Sequence, residues 1–317
     1  MTNPNEPNQS VRDILRDTIG YIPPAEEEDF HPGFDKVQSA CPYNKCEEGR
    51  GYIKHVKNGH TYTEWCDCYQ DEMLKRKMKG AKIESKYLNA SFDFDNSGVS
   101  ATLLQPIVEV GKPLVKKVKT KEVIETAEQY LQRVFKQRPV KKGVSFFAEE
   151  FTKITADYHS ESPRVRSKNL LLIGEPGRSK TFLACAAGKE FLRQGKSVYF
   201  TTMLQLVADV MNPDTDIRHI MKETDLVIVD EMGSEYHTDT QWALKQIKEL
   251  FRIRYNSHLP VICTTNYYPN ELAELYDPSL MSMFAGSYLF VLMQRDEDYR
   301  LLESEKNLED FTFLDEE

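Results

Sequence analysis

The sequence has no apolar run near the roughly 20 residues that a bilayer-spanning helix needs. Its opening residues, MTNPNEPNQSVRD, lack the basic and then apolar order of a secretory signal. A cytoplasmic protein without a membrane partner is therefore expected. There is no internal repeat and no long low-complexity tract, which excludes solenoid and tail-like organisations. Positive charge is also in deficit. Forty-one Lys and Arg stand against 50 Asp and Glu, and the formal net charge of −9 argues against indiscriminate coating of nucleic acid. A local basic groove remains open. Cysteine is scarce and unevenly spread: four of the six lie at Cys41, Cys46, Cys66 and Cys68. In a reducing compartment such a cluster points to metal rather than to disulfides. Cys185 and Cys263 sit in helix-like and strand-like runs and read as small buried apolar residues.

A length of 317 residues suggests about two domains. Residues 1–35 are Pro-rich and acidic, a flexible segment with one amphipathic stretch, VRDILRDTIGYI. Val11, Ile14, Leu15 and Ile19 fall there near helical spacing, either to pack on their own domain or to dock on a partner. Residues 36–90 hold the cysteines and then a basic helix within QDEMLKRKMKGAKIESKYLNA. Residues 91–165 read as a linker and basic insert, with VIETAEQYLQRVF helical by spacing. Its charge is that of a solvated face or of a DNA contact. From 166 to 317 the pattern changes. NLLLIG, SVYFTT, DLVIVD, PVICTTN and SYLFVLM are nearly continuous apolar runs, separated by amphipathic ones such as TFLACAAGKEFLRQG and TQWALKQIKELFRIRY. Strands alternating with helices imply an α/β fold whose parallel sheet is covered on both faces.

The cysteine spacing is C-x4-C, about twenty residues, and C-x-C. Four thiolates close a tetrahedral zinc site. The Gly49-Arg50-Gly51 stretch turns the chain, and YIKHVKNGHTYTEW reads as a hairpin. A segment with so few apolar residues has little core of its own, and zinc would supply roughly 10–16 kcal/mol of coupled folding energy. His55 and His60 are rival ligands on the hairpin. No open coordination position is implied, so the expected role is structural.

The strand NLLLI runs into GEPGRSKT, a phosphate loop of the form G-x-x-x-x-G-K-[ST] with one exception. Gly174, Glu175, Pro176, Gly177, Arg178 and Ser179 form the loop. Lys180 would reach the β- and γ-phosphates of ATP, and the Thr181 hydroxyl would ligate Mg²⁺. Ser179 stands where the last glycine is usual. If that position is left-handed, its Cβ costs roughly 1–2 kcal/mol and weakens binding about tenfold. If it is helical, the serine hydroxyl is free to bond a phosphate. DLVIVDEMG ends a strand in paired acids. Asp230 is placed for Mg²⁺, and Glu231 for polarising the attacking water. Asn266 closes PVICTTN, where a polar side chain can bond the water or the γ-phosphate.

Together GEPGRSKT, SVYFTT, LVIVDEMG, FRIRYNSHLPVICTTN and DEDYR resemble the AAA+ helicase loaders of the DnaC/DnaI type and the related IstB transposition ATPases. CPYNKCEEGRGYI…EWCDC resembles the zinc-binding region of DnaI-like and phage loaders, and KYLNASFDFDN their connector. The resemblance implies an AAA+ P-loop ATPase with a five-stranded parallel sheet, plus a small N-terminal zinc-binding domain that grips the helicase. It implies ATP binding, side-by-side self-assembly on a hexameric replicative helicase, and delivery of that helicase to single-stranded DNA. Lys180 and Thr181 match the Walker A residues, Asp230 and Glu231 Walker B, Asn266 sensor 1, and Arg300 the C-terminal arginine. One departure is Ser282-Met283, where the family carries Ser-Arg and uses the arginine on the neighbouring subunit's γ-phosphate. Losing such a finger costs 10³–10⁵ in turnover in related systems. Arg252, Arg254 and Arg295 are candidate stand-ins. An IstB-type helper and a non-hydrolysing adaptor that sequesters the helicase remain alternatives.

Overall fold

The computed structural model describes residues 40–46, 49–57, 60–92, 99–106, 135–139, 169–237 and 241–295. The amphipathic stretch at 11–22, the helix read at 123–134, the acidic C-terminal tail and Arg300 lie outside these residues. The chain falls into two compact units that divide after Leu88, with Phe191–Ser197 counting with the first. Among the described residues no helix is long and apolar enough to cross a membrane.

The first unit has a hairpin of β1 (Tyr52–Lys57) and β2 (His60–Trp65), followed by α1 (Asp67–Gly80). Tyr52 pairs with Trp65 and His55 with Tyr62, so pairs two residues apart share a face. α1 buries Cys68, Leu74 and Met78 and ends in a basic turn at Lys77 and Lys79, which suits the negative end of its dipole.

The second unit is built on a seven-stranded sheet ordered β4-β3-β9-β5-β8-β7-β6. Five of its strands are mutually parallel, as the sequence leads one to expect: β5 (Asn169–Ile173), β6 (Val198–Thr202), β7 (Leu226–Asp230), β8 (Val261–Thr265) and β9 (Tyr288–Arg295). Every residue of β5, β7 and β8 is buried, which accounts for their unbroken apolar runs. This is an α/β fold built on a largely parallel sheet.

The other two strands come from the stretch read as linker and insert. β3 (Val99–Pro106) and β4 (Phe135–Pro139) add antiparallel to the outer side of β9. Phe135, the last residue of the expected helix, begins β4 instead. β3 buries Ala101 and Leu104 and half-buries Thr102 and Leu103, so both of its faces are covered and it leaves no period-two signal in the sequence. β4, FKQRP, is the sheet edge, and its lysine, arginine and proline are residues that discourage further pairing there.

Helices α2 (Lys180–Arg193), α3 (Met203–Met211), α4 (Ile217–Glu223), α5 (Gln241–Asn256), α6 (Pro269–Leu275) and α7 (Pro278–Ser287) complete this unit. α7 starts where the Asp277 carboxylate accepts from the backbone of Ser279 and Leu280 at 2.8 and 2.9 Å, and Lys248 of α5 holds the same side chain at 2.8 Å. The Lys248 charge and these N–H groups hold the Asp277 carboxyl below its usual range, against partial burial.

Arg254 sits on α5 at 1% exposure. Its guanidinium donates to the carbonyls of Met221 at 3.0 Å, Asp225 at 3.1 Å and Pro260 at 2.6 Å, and also to Thr224. It thus ties the end of α4 and the entrances of β7 and β8 to α5. An arginine held this way is not placed to reach a neighbouring subunit, so Arg254 drops out as a stand-in finger. Arg254→Ala would strand several buried carbonyls. It is expected to lower the unfolding free energy by about 3 kcal/mol, read from urea denaturation.

Candidate nucleotide site and thiol cluster

β5 delivers the phosphate loop, and two neighbours on its β8 side complete the site. Gly174 takes φ +153°, and a Cβ there would lie 2.4 Å from the Met293 carbonyl oxygen of β9, so only glycine passes. Its N–H donates to the Thr265 carbonyl at 3.2 Å, which anchors the loop to β8. The loop then runs to α2, whose buried Ala184, Ala186 and Ala187 let it lie close to the sheet.

Lys180 is 7% exposed, and its ammonium donates to Gly174 O at 2.7 Å, Glu175 O at 2.7 Å and Asn266 Oδ1 at 2.8 Å. Lys180 and Asn266, 86 positions apart, are thus directly bonded. Thr181 Oγ1 donates to Asp230 Oδ1 at 2.8 Å, and Thr264 Oγ1 donates to the same oxygen. Glu231 follows on the solvent side, exposed and left-handed at φ +56°. Its N–H donates to Thr264 Oγ1 at 3.1 Å, and Met232 N–H to Thr264 O at 2.8 Å. A non-glycine residue in this region costs roughly 1–2 kcal/mol, here sustained by the bonds to β8. The structure therefore brings together Lys180, Thr181, Asp230, Glu231 and Asn266 at the carboxyl ends of β5, β7 and β8.

Ser179 resolves to the left-handed case, φ +58°, next to Gly177 at +74°. Its carbonyl accepts from Leu183 N–H at 3.0 Å, so the chain's own backbone holds this turn. A torsion held by the fold itself is expected to cost stability more than ATP affinity.

Two partners were not legible in the sequence. Glu235, 3% exposed, accepts from Gly233 N–H at 2.9 Å and from the Tyr276 hydroxyl, tying the loop after β7 to the end of α6. Burial pushes its carboxyl up, while these donors pull it back. Thr265 Oγ1 donates to Met232 O at 2.7 Å. A motif scan sees Glu235 and Thr265 as ordinary polar residues near a turn.

Ser282 is exposed, whereas Met283 is half-buried against the apolar core. Arg252 is exposed and reaches Ser279 Oγ at 3.5 Å. Cys185 and Cys263 are buried in α2 and β8, as small apolar residues would be.

In the first unit the four Sγ atoms of Cys41, Cys46, Cys66 and Cys68 all lie within 4.8 Å of one another. Cys41 and Cys66 are 3.7 Å apart, and Cys46 and Cys68 3.5 Å. Four sulfurs at about 2.3 Å from a tetrahedral zinc are about 3.8 Å from each other, so the set fits that ion. Backbone N–H groups support the thiolate form. That of Gly51 lies 3.4 Å from Cys46 Sγ, and those of Cys46, Lys45 and Tyr43 draw the Cys41 thiol down to about 6 despite burial. Burial acts the other way on Cys66 and raises it. His55 is engaged elsewhere: it bonds Glu64 at 3.0 Å and stacks on Tyr62.

Residues 145–284 match the family of IstB-like ATP binding proteins. A protein of insertion sequence IS5376 from Geobacillus stearothermophilus is 31% identical over 150 residues, 44% of this chain and 57% of that one. The phage-like element PBSX protein XkdC of Bacillus subtilis is 21% identical over 228 residues, 70% of each chain. The replicative helicase loader DnaC of Buchnera aphidicola subsp. Schizaphis graminum is 26% identical over 107 residues, 31% of this chain and 39% of that one. A crystal structure of the DnaC helicase loader aligns with 67% of this chain and 100% of its own at 18% identity, with a TM-score of 0.41.

Two outcomes are expected. Ser179→Gly should raise unfolding stability by about 0.5–1 kcal/mol, the strain relieved less the added chain entropy, and change ATP affinity less than about threefold. Urea denaturation and calorimetric titration measure these. The protein should hold one zinc per chain by atomic emission, and Cys66→Ser should lose it, because three thiols no longer close the site.

Proposed function

The chain carries an IstB-like AAA+ ATP-binding domain of the DnaC type, and from that premise we propose that it is a replicative helicase loader. It binds ATP, assembles side by side on a hexameric helicase, and helps place that helicase on single-stranded DNA. The observation that carries this reading is that one chain holds both the four-thiol cluster and the nucleotide site.

ATP is the substrate. Phosphate oxygens replace the three neutral acceptors of Lys180, which gains charge-assisted bonds in a poorly hydrated place. The N–H groups of the loop and of the first turn of α2 hold the remaining phosphate charge. Thr181 and Asp230 would hold Mg²⁺, whose charge neutralises the phosphates when it is bound. Asn266, released from Lys180, orients the attacking water, and Glu231 accepts its proton. Glu231 is exposed at the end of β7, next to Asp230. Arg300 is assigned the C-terminal arginine's role by resemblance alone.

Turnover is expected to be slow. The finger position is occupied by Met283, half-buried and uncharged, and Arg254 is committed to four carbonyls. These two observations favour, as the second reading, an adaptor that binds ATP and helicase with little hydrolysis.

Co-purification with a replicative hexameric helicase, with and without ATP, tests the proposal. Association is expected with the unsubstituted chain, and its absence under both conditions would sink both readings. Given association, DNA-stimulated phosphate release separates loader from adaptor. Glu231→Gln should abolish any release while leaving ATP binding within about twofold, since the base acts on water rather than on the nucleotide.

A further inference from the structure

The hairpin of the first unit has two unlike faces. Ile53 points to the cysteine cluster and packs against it. The opposite face carries Tyr52, Lys54 and Val56 of β1 with Thr61, Thr63 and Trp65 of β2, by the strand register. Val56 is 74% exposed and Trp65 37%, so this face meets solvent.

Its aromatic and basic groups form a continuous row. The Lys54 ammonium lies 5.8 Å from the centre of the Tyr52 ring. Tyr52 is the register partner of Trp65. Trp65 stacks on Tyr69 of α1, with centroids 4.2 Å apart and planes 20° from parallel. Arg76 follows two turns along α1 from Tyr69. The order is cation, three rings, cation.

Beyond the first turns of α1 the charge has one sign. Between Met73 and Ile83 there are five bases (Lys75, Arg76, Lys77, Lys79 and Lys82) and no acid, in a chain of net charge −9. The acids of the first turns of α1 are engaged elsewhere: Asp67 pairs with Lys45 at 2.6 Å, and Asp71 accepts from Tyr43. Glu72 bonds Arg76 at 3.3 Å, and it is the one carboxylate that a phosphate would have to displace.

We propose that the row Lys54–Tyr52–Trp65–Tyr69–Arg76 binds single-stranded nucleic acid. Bases stack on the rings, and phosphates lie against Lys54, Arg76 and the lysines of α1. Stacked rings flanked by cations match the two features of a single strand that a duplex hides or spaces differently, exposed base faces and a flexible phosphate chain. An apolar protein partner would use the rings and leave the one-signed charge unexplained. The inference rests on the loader reading for its biological setting and extends it by giving the DNA a place outside the ATPase.

The sequence has two tryptophans, so Trp242→Phe leaves Trp65 as sole reporter in the full-length chain. Its fluorescence is followed on titration with a single-stranded oligothymidylate, an oligouridylate and a duplex of equal length, at low and high salt. Saturable quenching by the single strands but not by the duplex is expected, weakening steeply with salt. Comparison of oligothymidylate with oligouridylate tells DNA from RNA. Tyr69→Ala and the pair Lys54→Glu/Arg76→Glu should each cut affinity about tenfold or more with zinc content still at one per chain. Oligonucleotide binding that leaves Trp65 unquenched and survives these substitutions would overturn the proposal, as would no binding at all. Loss of helicase association in the same variants with no quenching in their parent would make this face a protein dock instead. If the unsubstituted chain binds no helicase yet shows the quenching, the loader reading fails while this one stands.

Discussion

One buried cation organises the nucleotide site. Lys180 keeps its charge at 7% exposure only because three oxygens converge on it. Two of them are carbonyls of its own loop and the third is the side chain of Asn266. An ammonium left unpaired there would be too costly to hold. The loop must therefore turn back on itself, and β8 must lie next to β5 so that Asn266 arrives at the same depth. The parallel register supplies this, with Ile173 beside Thr265. The same pairing sets Thr264 under Asp230 and Glu231, so one strand tip steadies both the phosphate loop and the acidic pair.

Two of the positive-φ residues of the site differ in consequence. Gly174 is obligatory, because the β9 backbone occupies the space a side chain would need. Ser179 is tolerated, because its torsion is awkward but its surroundings are open enough to hold it half-buried. The irregular motif is thus a modest cost to stability and not a broken site. The doubt over turnover rests on Met283 and on the commitment of Arg254 to the core.

The thiol cluster plays the organising role in the first unit. Four sulfurs and a few backbone N–H groups stand where a larger protein would have an apolar core. The hairpin turns Ile53 to the sulfurs and carries Tyr52 and Trp65 on its other face.

The five parallel strands, the hairpin and the basic helix were legible from periodicity, because double burial and simple alternation leave strong traces. Lys180, Thr181, Asp230 and the cysteines were legible because their chemistry depends on short spacings. Other features depend on partners far along the chain. β3 is a strand by its pairing with β9 and β4 by its pairing with β3, and neither carries an alternation that marks it in advance. Arg254 read as a candidate stand-in finger, and only the fold shows the carbonyls around α4, β7 and β8 that hold it. The Lys180–Asn266 bond, the Glu235–Tyr276 tie and the torsion of Ser179 likewise wait on the sheet. Residue type and spacing determined which chemistry this protein carries. Only tertiary structure decided which groups meet, because a hydrogen bond across tens of residues exists only once the strands between have paired.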